Sequence, residues 1–92
     1  MWTDVVYGDG MTDRRIDVRS PVPAYQQLAD SLRQRIEAGE WPTGPLPSIE
    51  YLQGEYGVGR DTVMRAIKIL ADDGIVYTIA RRGTYVTRND HG

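Results

Sequence analysis

An α+β fold of three helices followed by a two-stranded β-hairpin is what the sequence predicts, on three observations. Apolar residues recur at helical spacing in three stretches between residues 24 and 73. The second and third stretches are separated only by Gly57-Val58-Gly59. Beyond Gly74 the pattern changes, and two short runs of β-branched and aromatic residues flank Ala80-Arg81-Arg82-Gly83. Ninety-two residues make one such domain and leave no room for two.

Residues 1–22 read as an N-terminal arm. Asp4-Val5-Val6-Tyr7 and Arg15-Ile16-Asp17-Val18 each fit a short strand, with Gly8, Gly10 and Ser20-Pro21-Val22-Pro23 as turns between and after them. The arm is a candidate dimer contact. Trp2 within it is either an exposed residue or an anchor on a partner.

The first helix is predicted over residues 24–38, with Tyr25, Leu28, Ala29, Leu32 and Ile36 forming one apolar stripe. Gln26, Gln27, Asp30, Arg33, Gln34 and Glu37 fill its other face, and Gly39 is the expected left-handed stop. Pro42, Gly44, Pro45 and Pro47 forbid helix and mark a stiff connector, in which Trp41 is expected to cover the core. A short second helix follows over residues 48–56. Ser48 is its N-cap, and Ile49, Leu52 and Tyr56 are its inner face. The third helix, over residues 60–73, turns Val63, Ala66, Ile67 and Leu70 inward and stops at Gly74 as the first does at Gly39. Strands are predicted at residues 75–79 and 84–87, joined by the basic turn.

Composition excludes several classes of function. Without cysteine there is neither a disulfide framework nor a thiolate metal site, and His91 sits in a polar tail, where an unliganded imidazole is expected. No apolar run approaches the roughly 18–20 residues that cross a bilayer. Residues 1–10 carry Asp4 and Asp9 and lack the basic-then-apolar order of a signal peptide, so a cytoplasmic chain without membrane contact is expected. No carboxylate pair, triad or metal constellation suggests an enzyme, and no cofactor is implied. Ser48 has no histidine or lysine partner, and Gly57-x-Gly59 is followed by no lysine at phosphate-loop spacing.

The net charge of −2 at first argues against a polyanionic partner, but its distribution does not. Residues 1–23 carry three arginines against four aspartates, and residues 24–56 carry two arginines against five acids. Residues 57–88 instead hold Arg60, Arg65, Lys68, Arg81, Arg82 and Arg88 against Asp61, Asp72 and Asp73. One basic region on an acidic chain suits a protein that meets a polyanion with a single face. Taken singly, each of these cations equally fits an ordinary solvated surface.

Two helices joined by a three-residue glycine hinge cross steeply, so the second projects from the domain. Its outward face carries Arg60, Asp61, Thr62, Met64, Arg65 and Lys68. A helix of this kind fits the major groove of DNA, and guanidinium groups suit guanine edges and phosphates. The helix start at Gly59-Arg60 offers amides to a phosphate. The hairpin tip, with Arg81 and Arg82, suits the backbone or a narrow minor groove.

These features are arranged as in a known family. The sequence resembles the GntR family of bacterial regulators through six pieces in the right order. They are Ala24-Tyr25-Gln26-Gln27-Leu28-Ala29, Gly39-Glu40, Leu46-Pro47-Ser48, and Gly57 to Val63 with the Arg65-Ala66-Ile67 step, then Asp73-Gly74-Ile75-Val76 and Arg82-Gly83-Thr84-Tyr85-Val86. The resemblance covers residues 23–87 and implies a winged helix-turn-helix domain there, between the arm at 1–22 and a polar tail at 88–92. It also implies a homodimer on a palindromic operator in double-stranded DNA, and repression of transcription. The DNA-facing residues carried over are Arg60, Thr62, Arg65 and Gly83, then Arg82 and Thr84. With the neighbours on the same surface, the candidate set becomes Ser48, Gly59, Arg60, Asp61, Thr62, Met64, Arg65, Lys68, Arg81, Arg82, Gly83 and Thr84.

The departures from the family pattern are specific. Glu50 stands where a DNA-approaching arginine is usual, and Tyr51 replaces the glutamate that would complete a capping box on Ser48. Met64 replaces the first of two adjacent arginines, Gly59 replaces a capping serine, and Arg81 replaces a glycine in the wing. Family members usually continue into an effector-binding domain. Here the sequence reads either as a DNA-binding fragment or as a stand-alone regulator, the polar Arg88-Asn89-Asp90-His91-Gly92 favouring the second, and no small-molecule effector site is evident in it. The alternative to DNA binding is a winged-helix module for protein–protein contact, which the net negative charge, Glu50 and an exposed Met64 would suit.

Overall fold

A computed structural model describes residues 15–42 and 44–87. The expected strand at residues 4–7, Trp2, and the polar tail with His91 lie outside the described residues. Five elements follow in chain order: α1 (Ala24–Glu37), α2 (Ile49–Tyr56), α3 (Arg60–Asp72), β1 (Val76–Ile79) and β2 (Gly83–Val86). This is the three-helix, one-hairpin winged helix-turn-helix order that the sequence predicts.

Each helix begins and ends for a local reason. Pro23 supplies the carbonyl that takes the amides of Gln26 and Gln27 at 3.0 Å and opens α1. Past Ala38, Gly39 at φ +84° turns the chain, and the Glu40 amide reaches back to the Arg35 carbonyl. Ser48 caps α2 as expected, its Oγ accepting the Tyr51 amide at 3.1 Å, a contact that stabilises by about 1 kcal/mol. Gly57, at φ +69°, ends α2 in the left-handed conformation that side chains disfavour, and a Cβ there would stand 3.0 Å from Arg15 Nη1. Gly74, at φ +77°, ends α3 in the same way, with the Ile75 amide returning to the Leu70 carbonyl.

The core is the set of inward stripes. Leu28, Ala29 and Leu32 of α1, Leu52 and Tyr56 of α2, and Val63, Ala66, Ile67 and Leu70 of α3 are buried together with Leu46, Val76 and Val86. Burying a leucine or valine side chain fully stabilises by about 1.5–3 kcal/mol, so these stripes dominate the fold's favourable energy. Helix α3 packs against α1, α2 and β1, which makes it the central element of the domain.

The hairpin pairs Val76 with Val86, Tyr77 with Tyr85, Thr78 with Thr84 and Ile79 with Gly83. Val76 and Val86 therefore share the inner face, while the rings of Tyr77 and Tyr85 stack 5.9 Å apart on the outer one. The turn is tighter than predicted. Three residues close it, with Arg82 N–H donating to the Ile79 carbonyl, and Arg81 takes φ +69° at its apex.

Three expectations are corrected. Arg15-Ile16-Asp17-Val18 is not a strand. Asp17 and Ser20 close a turn, Ile16 packs against the core, and Gln27 of α1 clasps the segment by accepting from Asp17 N and donating to the Asp17 and Val22 carbonyls. The proline-rich connector is also more than a spacer. Pro45 bridges Tyr85, Leu46 N–H donates to the Thr84 carbonyl at 2.8 Å, and Leu46 enters the core, so β2 has a partner on both sides. Finally, Tyr25 is only half-buried and stands outside the core that Leu28, Ala29 and Leu32 of its stripe help to make and Ile36 packs against.

Candidate nucleic-acid interface

Helix α3 is amphipathic, and its burial stripe fixes what faces outward. Arg60, Asp61, Met64, Arg65 and Lys68 are exposed, and Thr62 is half-buried. At about 100° per residue the five exposed side chains occupy one arc of about 140°, with Thr62 about 60° beyond it toward the buried stripe. The sequence-predicted residues of this helix other than Thr62 thus form a single surface.

The start of α3 is open. Gly59 sits at the N-cap in an extended conformation and offers no side chain to the first-turn amides. The helix dipole and those amides together favour an anion at this end. Ser48, by contrast, is exposed with its hydroxyl engaged on the Tyr51 amide, and its part in the fold is to start α2.

The wing approaches the same end of α3. A shallow cleft between them is lined by Ser48, Glu50, Arg60, Arg81, Arg82, Gly83 and Thr84. Three arginines and one glutamate border it, and Glu50 makes no salt bridge among the described residues. Farther along α3, Met64, Lys68 and Thr84 border a second, mainly apolar groove with Ile49, Ile67 and Thr78. The structure therefore brings together all the predicted wing residues, Arg60, Ser48, Met64 and Lys68 around the α3–wing junction.

Arg65 belongs to neither groove. It leans toward α1, where its Cζ lies 5.0 Å from the centre of the Tyr25 ring. Lys68 is differently held, its Nζ 3.3 Å from Asp72 one turn later, in a pair so exposed that it contributes little to stability.

The scaffold behind this surface is fixed by a polar network that sequence reasoning did not anticipate. Arg35 of α1 makes a two-pronged contact with Glu40 at 2.6 and 2.9 Å and reaches Glu55 and the Tyr56 hydroxyl, each at 3.1 Å. Tyr56 shares a further hydrogen bond with Ser31 at 2.7 Å, and the Arg35 guanidinium also lies over Trp41. The Glu40 contact, supported by Tyr56 and Glu55 and opposed by desolvation, raises the Arg35 pKa well above its ordinary value. Among the described residues there is no cluster of His, Asp or Glu that could hold a metal, and no helix is long and apolar enough to cross a membrane.

Comparison with known proteins places this geometry. The family model described as bacterial regulatory proteins, gntR family, matches residues 24–86. The chain is 36% identical over 74 residues to the HTH-type transcriptional repressor NagR of Bacillus subtilis, covering 79% of this chain and 30% of that protein. It is 38% identical over 77 residues to the HTH-type transcriptional regulator Rv1152 of Mycobacterium tuberculosis, covering 83% of this chain and 64% of that one. It thus spans from under a third to just under two thirds of these relatives. Among solved structures, YtrA from Sulfolobus acidocaldarius, a GntR-family transcription factor, matches with TM-score 0.69 and 34% identity over 85% of this chain and 82% of that one. The AraR DNA-binding domain in complex with operator ORX1 matches with TM-score 0.70 and 26% identity, over 78% of this chain and 96% of that one.

Proposed function

The chain belongs to the gntR family of bacterial regulatory proteins, and from that premise we propose that it binds duplex DNA sequence-specifically and represses transcription. The observation that carries this reading is the arc of Arg60, Met64, Arg65 and Lys68 on α3, continued by Arg81 and Arg82 on the wing. A domain of the same fold has been solved on its operator, which supports it.

In the proposed complex α3 enters the major groove. Arg65 reads a guanine edge, Arg60 reads or contacts a phosphate, and Thr62 anchors another phosphate. The uncapped amides at Gly59 and Arg60 take a phosphate, Asp61 and Lys68 set the charge along the groove, and Met64 lies against a thymine methyl. Ser48 lines the approach, and Arg81, Arg82, Gly83 and Thr84 lie along the flanking backbone or minor groove. A homodimer places two copies of α3 about one helical turn apart, on a palindromic operator in the cytoplasm. Isolated protomers, with Glu50 in the cleft, bind weakly.

Selection from a randomised duplex pool at low salt tests the proposal. Enrichment of a two-fold symmetric motif is the expected result, and its spacing gives the dimer geometry. Retention of no duplex would overturn it.

One observation favours a second reading. Met64 is 47% exposed and borders an apolar groove, as a protein-docking surface would be. Salt separates the two readings. DNA affinity falls with log salt at a slope of about −0.9 per phosphate contacted, whereas an apolar protein interface is nearly indifferent.

A further inference from the structure

Tyr25 belongs by spacing to the apolar stripe of α1, but it takes no part in the core that Leu28, Ala29 and Leu32 help to build. Its ring faces the guanidinium of Arg65 instead, with Cζ 5.0 Å from the ring centre. The two residues are far apart in the sequence, so the contact exists only because α1 packs on α3. Among the described residues no carboxylate lies within salt-bridge distance of Arg65, whereas Lys68, on the same helix, is held by Asp72.

A guanidinium has a face and an edge with separate uses. The face stacks on aromatic rings, while the N–H donors lie in the plane and point outward from it. Among the described residues Arg65 makes no hydrogen bond or ion pair, so its contact with Tyr25 leaves its donors available. A carboxylate partner would have occupied them. Without support, a long side chain on an exposed helix spreads over many rotamers, all but one of which are lost when it engages a base.

We propose that Tyr25 is a positioning residue for Arg65: the ring on α1 holds the guanidinium on α3 in place, with its hydrogen-bonding edge free for a guanine. The inference rests on the duplex-binding reading above. It adds α1, an element outside the helix-turn-helix pair, to the machinery of sequence reading.

The test uses the 92-residue chain and the duplex selected from the random pool. Tyr25→Leu removes the ring and keeps an apolar helix former. Tyr25→Phe keeps the ring and removes the hydroxyl. Tyr25→Leu is expected to weaken specific binding by about two- to fivefold per half-site, the worth of an exposed cation–π contact. Tyr25→Phe is expected to bind as wild type, and Tyr25→Leu is expected to add nothing to Arg65→Ala.

Thermal melting accompanies each measurement, and Tyr25→Gln serves in the same cycle should Tyr25→Leu be unfolded at the assay temperature. Wild-type affinity in the ring-less variant would overturn the proposal. So would a loss in Tyr25→Phe as large as in Tyr25→Leu, or an undiminished loss in the Arg65→Ala background. Failure of the wild type itself to select any duplex is a different result and would refute the DNA-binding reading instead.

Discussion

Replacing Arg35 with methionine should destabilise the domain by about 3 kcal/mol, and the geometry shows where that figure comes from. The side chain is 10% exposed, and its partner Glu55 is 18% exposed, so losing the cation removes charge-assisted hydrogen bonds from Glu55 and the Tyr56 hydroxyl where water replaces them poorly. A hydrogen bond to a charged group contributes about 1.5–3 kcal/mol. The stack on Trp41 adds about 0.5–1 kcal/mol. The Glu40 pair, with its carboxylate 40% exposed, is screened by water and adds at most about 1 kcal/mol despite its short distances. In a chain of this size 1 kcal/mol corresponds to about 4–8 °C, so the melting temperature should fall by about 12–24 °C.

Circular dichroism on melting measures this, with Arg35→Lys as the control. Lysine keeps the charge but not the planar fork, so it should melt between the two. The folded-state pKa of Arg35 is raised, so its contribution is fully present below the ordinary arginine value and is lost only as pH rises beyond it. The difference between wild type and Arg35→Met should accordingly show no loss between neutrality and pH 10. A drop of less than about 3 °C in Arg35→Met, or equal melting of the Met and Lys variants, would refute the reasoning.

The other predictions concern the hinge and the DNA-facing surface. Gly57→Ala puts a side chain at φ +69° and its Cβ against Arg15, and it should cost about 1–2 kcal/mol in a urea titration. An unchanged midpoint would show that the hinge relaxes freely. Arg65→Ala should weaken operator binding by about 1–3 kcal/mol and relax preference at one base position. The Arg60→Ala/Arg65→Ala double variant should bind at least about tenfold more weakly than wild type, and equal binding would sink the assignment of α3 as the reading helix.

Most of the fold was legible because its helices obey a single rule. Leu52 and Tyr56 of α2, the inward residues of α3, and Leu28, Ala29 and Leu32 of α1 fall at helical spacing and are the buried ones, while Ile36 and Ile49 pack against them from the margin. Ser48 was readable as a cap because its job is local, an amide three residues away. What escaped depends on distant partners. β-branched residues at 15–18 satisfy a strand's composition, yet a strand also needs a neighbour, and here the Gln27 side chain takes that place. Prolines beside Leu46 hid an edge segment, since proline is compatible with an edge and not with a central strand.

Tyr25 shows the same limit at the candidate site. Periodicity says which way a residue points along its own helix and is silent about what the neighbouring helix presents there. The exposed arc of α3 was readable, because it is the complement of the buried stripe. That α3 and the wing share a surface followed from the family resemblance, but the cleft that sets Glu50 beside Arg60 and the wing arginines was not readable, because it requires α2, α3 and the hairpin to be placed in space.

Arg81 at the wing apex carries an implication for how this chain would evolve in the laboratory. It holds a left-handed backbone, φ +69°, that glycine adopts without penalty and an L residue adopts at a cost of about 1–2 kcal/mol. A library screened only for heat resistance should therefore drift toward glycine at this codon. One screened for retention of an operator, on the function proposed here, should keep the cation and tolerate the strain. The two regimes pull this position in opposite directions, so the residue that survives would report which property had been selected.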